Sequence, residues 1–222
     1  MTATWWIRLL RIAFAALGIS ALVYQAMLGD PDTGFTLANF FSYFTVLSNV
    51  FAAIVLLVGG LLAPGTPAWE WLRGAATTCM VITGIVYALL LQNIDVDLTD
   101  AWVNDVLHRF MPLVMLVDWI AVRARRLPER AWLTWLAIPF VYGVYTLIRG
   151  PFVDWYPYPF IDPRGQGYVS MTISLVVVFV GMTFMSAGVY WAGTRGRRPG
   201  QVEPERPDPE RPDPERPDPE RV

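Results

Sequence analysis

The sequence predicts an all-α integral membrane protein of six transmembrane helices, and three observations predict it. Of 222 residues, 55% are hydrophobic and only 16% charged, and the mean hydropathy is +0.40. The apolar residues come in long blocks rather than in alternation, as membrane helices do and half-buried strands do not. Arginines gather at one set of block ends, as cytoplasmic flanks do.

The first block covers about residues 5–28. Its apolar core is long and no small-x-small cleavage site precedes the Gly29-Asp30-Pro31 break, so it is expected to be a retained span rather than a signal peptide. After a short acidic turn, the second span runs over about 37–62. It carries Ser42, Thr45, Ser48 and Asn49 at helical spacing, which makes one polar stripe on an apolar helix. Pro64-Gly-Thr-Pro67 ends it. The third span covers about 72–91 and leads into an acidic connection with Asp95, Asp97 and Asp100.

The fourth span, about 102–122, exits into Arg123, Arg125, Arg126, Pro128 and Arg130. The fifth covers about 132–148, and the longest loop, 149–167, follows. The sixth covers about 168–191 and ends at Arg195, Arg197 and Arg198. Each span is long enough to cross a hydrocarbon core of about 30 Å. Gly84/Ala88 and Gly188/Ala192 are small-residue pairs that suggest helix packing.

With six spans, the N-terminus, two of the loops and the C-terminal flank share a side. That side holds Arg8, Arg11, Arg73, the 123–130 arginines and the 195–198 arginines, against Arg149 and Arg164 on the other. Both termini are therefore expected in the cytoplasm. The transmembrane domain is placed at 1–198. Residues 199–222 repeat Glu-Arg-Pro-Asp-Pro with almost no apolar residue, and are expected to be a disordered proline-rich tail, with or without a docking partner.

Composition also excludes some functions. A net charge of −2 gives no electrostatic case for nucleic acid. The lone Cys79 cannot form an internal disulfide or a cysteine metal site, and a single histidine cannot supply the usual metal or haem ligands, so no metal or cofactor is expected. All 17 basic residues are arginine, which suggests a GC-rich bacterial genome and hence the bacterial cytoplasmic membrane.

The fourth span is the unusual one. It holds the only histidine, His108, with Pro112 four residues on and Asp105, Arg109 and Asp118 around it. Ionisable groups are costly in a bilayer and are usually kept there for function. Counting 1.5 Å per residue from the outer ends of spans two and four puts Thr45 about 12 Å and His108 about 9 Å deep, one level within the uncertainty of the ends. A hydroxyl and an imidazole that meet are the minimum set for nucleophilic ester cleavage.

Pro112 cannot bond the carbonyl of His108, so a kink and a free carbonyl are expected there. Asn104 or Asp105, one turn earlier, would set the imidazole tautomer. Asn49, one turn deeper than Thr45, would donate to a developing oxyanion. Other readings stand beside these. Membrane threonines usually bond their own backbone or help helices pack, and a histidine near a helix end is more often simply packed. Asp105 and Arg109 suit an i,i+4 pair, and Asp118 suits Arg123 or water.

Phe-Thr-Val-Leu-Ser-Asn (44–49), the His108-to-Asp118 segment and Tyr-Pro-Phe-Ile-Asp (158–162), in that order, resemble the androgen-induced membrane protein family. The androgen-dependent TFPI-regulating protein belongs to that family, and its bacterial branch is known as Pr-six-Pr membrane proteins. The resemblance covers roughly 37–192. It implies a metal-independent threonine hydrolase of fatty acid esters of hydroxy fatty acids, with Thr45 as nucleophile and His108 as base. Tyr158 and the aromatic loop 155–160 would support the site as a lid. Two departures bear on substrate: the proline after His108 stands one residue closer than in animal members, and Arg149 stands where they tend to carry histidine. The alternative reading is a non-enzymatic carrier or scaffold that uses its proline-rich tail.

Overall fold

The computed structural model describes residues 4–29, 35–92, 100–124 and 127–195. The repeat tail therefore lies outside the described residues. Among those described there is no strand. Nine α-helices follow one another: α1 Trp5–Leu28, α2 Leu37–Phe40, α3 Phe44–Leu61, α4 Pro67–Val86, α5 Ala101–Asp105, α6 Met111–Ala121, α7 Ala131–Trp135, α8 Ala137–Val153 and α9 Pro163–Thr194. Five helical stretches are long and apolar enough to cross a membrane: Trp5–Leu28, Phe44–Leu61, Pro67–Leu91, Ala131–Val153 and Pro163–Thr194. That fits a multispan membrane protein. The expected fourth span is helical from 101 to 121 but carries three charges, Asp105, Arg109 and Asp118, and is not one of the five.

Several boundaries differ from expectation, each for a local reason. Span two is cut at residues 41–43. Tyr142 of α8 donates its hydroxyl to the Ser42 carbonyl at 2.8 Å and accepts the Phe44 N–H at 3.1 Å. A tertiary partner thus takes two groups that a continuous helix would use itself. Span three starts five residues earlier than expected because Thr66 caps it, accepting from Trp69 N–H at 3.2 Å, with Pro67 in the first turn where its missing N–H costs nothing. Span five continues to Val153 and ends at Asp154, which is left-handed at φ 49°. Its Gly150 lies under the Tyr156 ring, where a Cβ would sit 2.1 Å from the ring. Span six begins at Pro163, capped by Asp162, and kinks at Gly167 (φ 78°), so the expected start at 168 marks the kink.

The expected kink at Pro112 takes the form of a π-helical turn, Val106–Phe110, between α5 and α6. Its wide ring lets Met111 N–H reach back to the Val106 carbonyl. A second π turn, Tyr87–Leu91, extends α4. Gly84 brings the two helices together: a Cβ there would sit 3.0 Å from the Pro112 side chain and 3.5 Å from the His108 carbonyl. The other expected packing glycine, Gly188, faces open space within 4 Å.

Three apolar clusters hold the bundle. One joins α1, α3 and α6 through Ala15, Leu22, Leu56, Leu107 and Met111. A second gathers Phe44, Ile82, Tyr87, Tyr158 and Ile161. The third packs Trp119 against Trp135 and Val189, both tryptophans fully buried with ring centroids 5.9 Å apart. Trp119 is pinned by its N–H to the Val189 carbonyl at 2.7 Å. A Cβ on Gly193 would come within 2.2 Å of that rigid ring. Gly193→Ala is therefore expected to cost about 1–3 kcal/mol through overpacking. It should lower the thermal midpoint of the detergent-solubilised protein, and an unchanged midpoint would contradict this account of the contact.

Asp118, for which Arg123 or water was expected, pairs with neither as its main partner. It sits between Arg11 of α1, at 2.6 Å, and Arg73 of α4, at 2.9 Å. Arg123 instead donates to the Arg195 carbonyl at 2.9 Å.

Candidate functional site

Thr45 is not two turns inside a helix, as its place in a 37–62 span implied, but in the first turn of α3. The N-cap residue, Tyr43, makes no side-chain cap. Two phenols do that work from elsewhere: Tyr142 takes the Phe44 N–H, and Tyr158 lies 3.4 Å from the Thr45 N–H. The amino end of a helix carries partial positive charge, so this end favours negative charge that develops nearby. Burial pushes the Tyr158 phenol above the ordinary tyrosine range, so it stays protonated and can donate.

Thr45 lies on the wall of a cavity of about 350 Å³ enclosed by α3, α4, α8, α9 and the 158–161 segment. Apart from Thr45, Thr83, Thr172, Tyr142 and Tyr158, its lining is apolar. Phe140 and Val144 of α8 and Val176 and Phe179 of α9 line it while remaining exposed, so it opens sideways between those helices. The Phe140 and Phe179 rings meet across the gap with centroids 6.0 Å apart. Of the aromatic loop expected to act as a lid, Tyr158 and Phe160 stack on each other and line the cavity, while Trp155 packs on Tyr43.

His108 is buried, at 6% exposure, but it is not among the residues lining this cavity. Its ring stacks on Tyr87 at 4.2 Å, one π turn facing the other. Nδ1 faces the Asn104 carbonyl at 3.2 Å, which in the neutral ring requires the proton on Nδ1 and leaves Nε2 as acceptor. Among the described residues no hydrogen bond joins Thr45 to His108. What links their helices is Asn49. Its side-chain amide donates to the Thr45 carbonyl at 2.9 Å and to the Leu107 carbonyl at 3.0 Å. Both amide hydrogens are thereby committed, so Asn49 is a clamp between helices rather than a free oxyanion donor. Its Oδ1 is buried without a partner.

The supporting residues divide similarly. Asn104 reaches the imidazole through its backbone carbonyl, and its side chain donates to the Tyr87 hydroxyl. Asp105 turns to Arg109 on the exposed side instead of to His108. Arg149 donates to Asn39 at 2.8 Å and lies over the Trp155 ring. No protein-family model, curated protein or solved structure matches this chain. The site therefore stands on its own geometry. Among the described residues no group of His, Cys, Asp and Glu is arranged to hold a metal ion.

Sequence reading missed Tyr87, Tyr142 and Thr83. The signal for Tyr142 was its place inside an apolar span rather than at an end, where interfacial aromatics belong, whereas Tyr87, about one turn from the end of its span, gave no such signal. Thr83 gave no signal, since threonine is ordinary in a membrane helix.

Proposed function

We propose that this is a six-span bacterial membrane protein, with both termini in the cytoplasm, that cleaves a fatty acyl ester without a metal. Thr45 is the nucleophile and His108 the general base. The observation that carries the reading is the position of Thr45: a hydroxyl in the first turn of a helix, on the wall of an otherwise apolar cavity, beside a protonated phenol. The family resemblance of the 44–49 and 108–118 segments and the one-sided arginine flanks support the same reading. A side opening between α8 and α9 suits a chain arriving from the bilayer.

In the reaction, Nε2 of His108 takes the Thr45 proton as Oγ1 bonds to the ester carbonyl carbon. The negative charge on the carbonyl oxygen is met by the α3 amino end and the Tyr158 hydroxyl. Collapse expels the alcohol, which leaves with the proton held on Nε2, and the acyl group stays on Thr45. Water then repeats the sequence and releases the acid. The imidazole must turn from Tyr87 toward Thr45 for the first step, and catalytic hydrogen bonds are commonly completed only when substrate is bound.

One observation favours a second reading. His108 is held by Tyr87 and Asn104, off the cavity wall. On that reading the protein is a lipid-binding carrier or scaffold, and Thr45 is a polar wall residue. Labelling of wild-type membranes with a fluorophosphonate probe, followed by mass-spectrometric mapping, separates the two. An adduct on Thr45 is expected. A folded protein that takes no label would remove the hydrolase and leave the binder.

A further inference from the structure

Threonines in helices ordinarily return their hydroxyl to the carbonyl one turn back, and this chain follows that habit. Thr77, Thr146, Thr172, Thr183 and Thr194 bond the carbonyls of Arg73, Tyr142, Tyr168, Phe179 and Tyr190 at 2.8, 2.9, 2.8, 2.9 and 2.8 Å. Thr83 does not. It is 4% exposed, its Oγ1 has no hydrogen-bond partner, and it lies on the wall of the cavity that also holds Thr45. A buried hydroxyl left unpaired is a standing cost, and here the neighbouring wall is apolar.

The chemistry that would relieve it is narrow. The phenol of Tyr142 is spent on the Ser42 carbonyl and the Phe44 N–H. Thr172, on the same wall, is spent on Tyr168. Thr83 Oγ1 itself has almost no accessible surface, so a turn about χ1, which exchanges Oγ1 with the γ-methyl, is what brings to a ligand in the cavity a hydroxyl with a proton to give.

We propose that Thr83 is a ligand-binding residue of this cavity, and that it donates its hydroxyl to a carbonyl oxygen of the acyl chain that fills it. This rests on the cavity taking an acyl chain, but not on Thr45 cleaving it. Thr78 provides an internal control, since its hydroxyl is also buried and unpaired but does not line the cavity.

The test is displacement of a fluorescent fatty acid from the full-length protein in lipid nanodiscs. The competitors are a long-chain methyl ketone, which offers a carbonyl that cannot be hydrolysed, and the methyl ether of equal length. Wild type should prefer the ketone, whose carbonyl can accept from Thr83 and from Tyr158. Thr83→Val, which keeps the side-chain shape, should lower the preference by about three- to tenfold, the worth of one hydrogen bond, and Thr83→Ser should keep it. Thr78→Val should leave the preference at the wild-type value.

Thr83→Val should also melt no lower than wild type, since it deletes an unpaired polar atom. Displacement with no ketone preference in wild type overturns the assignment of Thr83, as does a preference in Thr83→Val as large as in wild type. If neither competitor displaces the probe from wild type, the acyl-binding reading of the cavity fails and the proposal falls with it.

Discussion

Thr45→Ala should abolish ester hydrolysis, and His108→Phe should lower it by about 10²- to 10⁴-fold, the usual worth of a positioned base. The two substitutions are chosen so that loss of activity is not loss of fold. Thr45 contributes to the architecture through its backbone: its N–H points to Tyr158 and its carbonyl accepts from Asn49. Alanine keeps both. Phenylalanine at 108 keeps an aromatic ring against Tyr87 but has no atom to take a proton. Turnover of a long-chain ester by the purified variants, with melting curves alongside, is the measurement. Wild-type turnover in Thr45→Ala would remove the nucleophile, and full activity in His108→Phe would remove the base while leaving Thr45 in play.

How much of this was legible in the sequence follows from where the information sits. The helices were legible because long apolar blocks are local, and α1 was placed to the residue at Trp5–Leu28. The break before Thr45 was not, because it depends on Tyr142, about a hundred residues away, taking a carbonyl and an amide that the helix would otherwise use. That single hydroxyl moves Thr45 from mid-helix to a helix end and changes the electrostatics around it. Asn49 was read as a donor to an oxyanion, but its amide is spent on two carbonyls, and its distant partner, the backbone carbonyl of Leu107, leaves no mark in the sequence. The Asp105–Arg109 pair was legible from i,i+4 spacing alone. The partners of Asp118 were not, since Arg11 and Arg73 lie on two other helices and the nearest arginine in sequence, Arg123, turned out to serve another carbonyl.

Asp118→Asn should destabilise the folded protein by about 3–5 kcal/mol, the largest structural effect expected of any single substitution here. The carboxylate accepts from Arg11 through Nε at 2.6 Å and through a second nitrogen at 3.1 Å, and from Arg73 at 2.9 Å. The side chains are 6% exposed for each arginine and 11% for the aspartate, so water screens little of the interaction. Arg73 also donates to the Asp118 and Val122 carbonyls at 3.2 and 3.0 Å, and Arg11 to the Gly59 carbonyl at 3.3 Å. One residue therefore ties α1, α3, α4 and α6 at a single level. Removing its charge leaves two guanidiniums that repel each other, with backbone carbonyls as the acceptors that remain in hydrogen-bond contact. The cost comes from those stranded cations more than from the lost pair. A second variant tests that distinction: Asp118→Leu combined with Arg11→Met and Arg73→Met removes every charge and should recover much of the stability lost in Asp118→Asn. Unfolding in detergent, followed by tryptophan fluorescence, measures both. If the triple variant is as unstable as Asp118→Asn, geometry rather than charge balance is what the cluster provides. If Asp118→Asn unfolds like wild type, the arginines have partners enough without it.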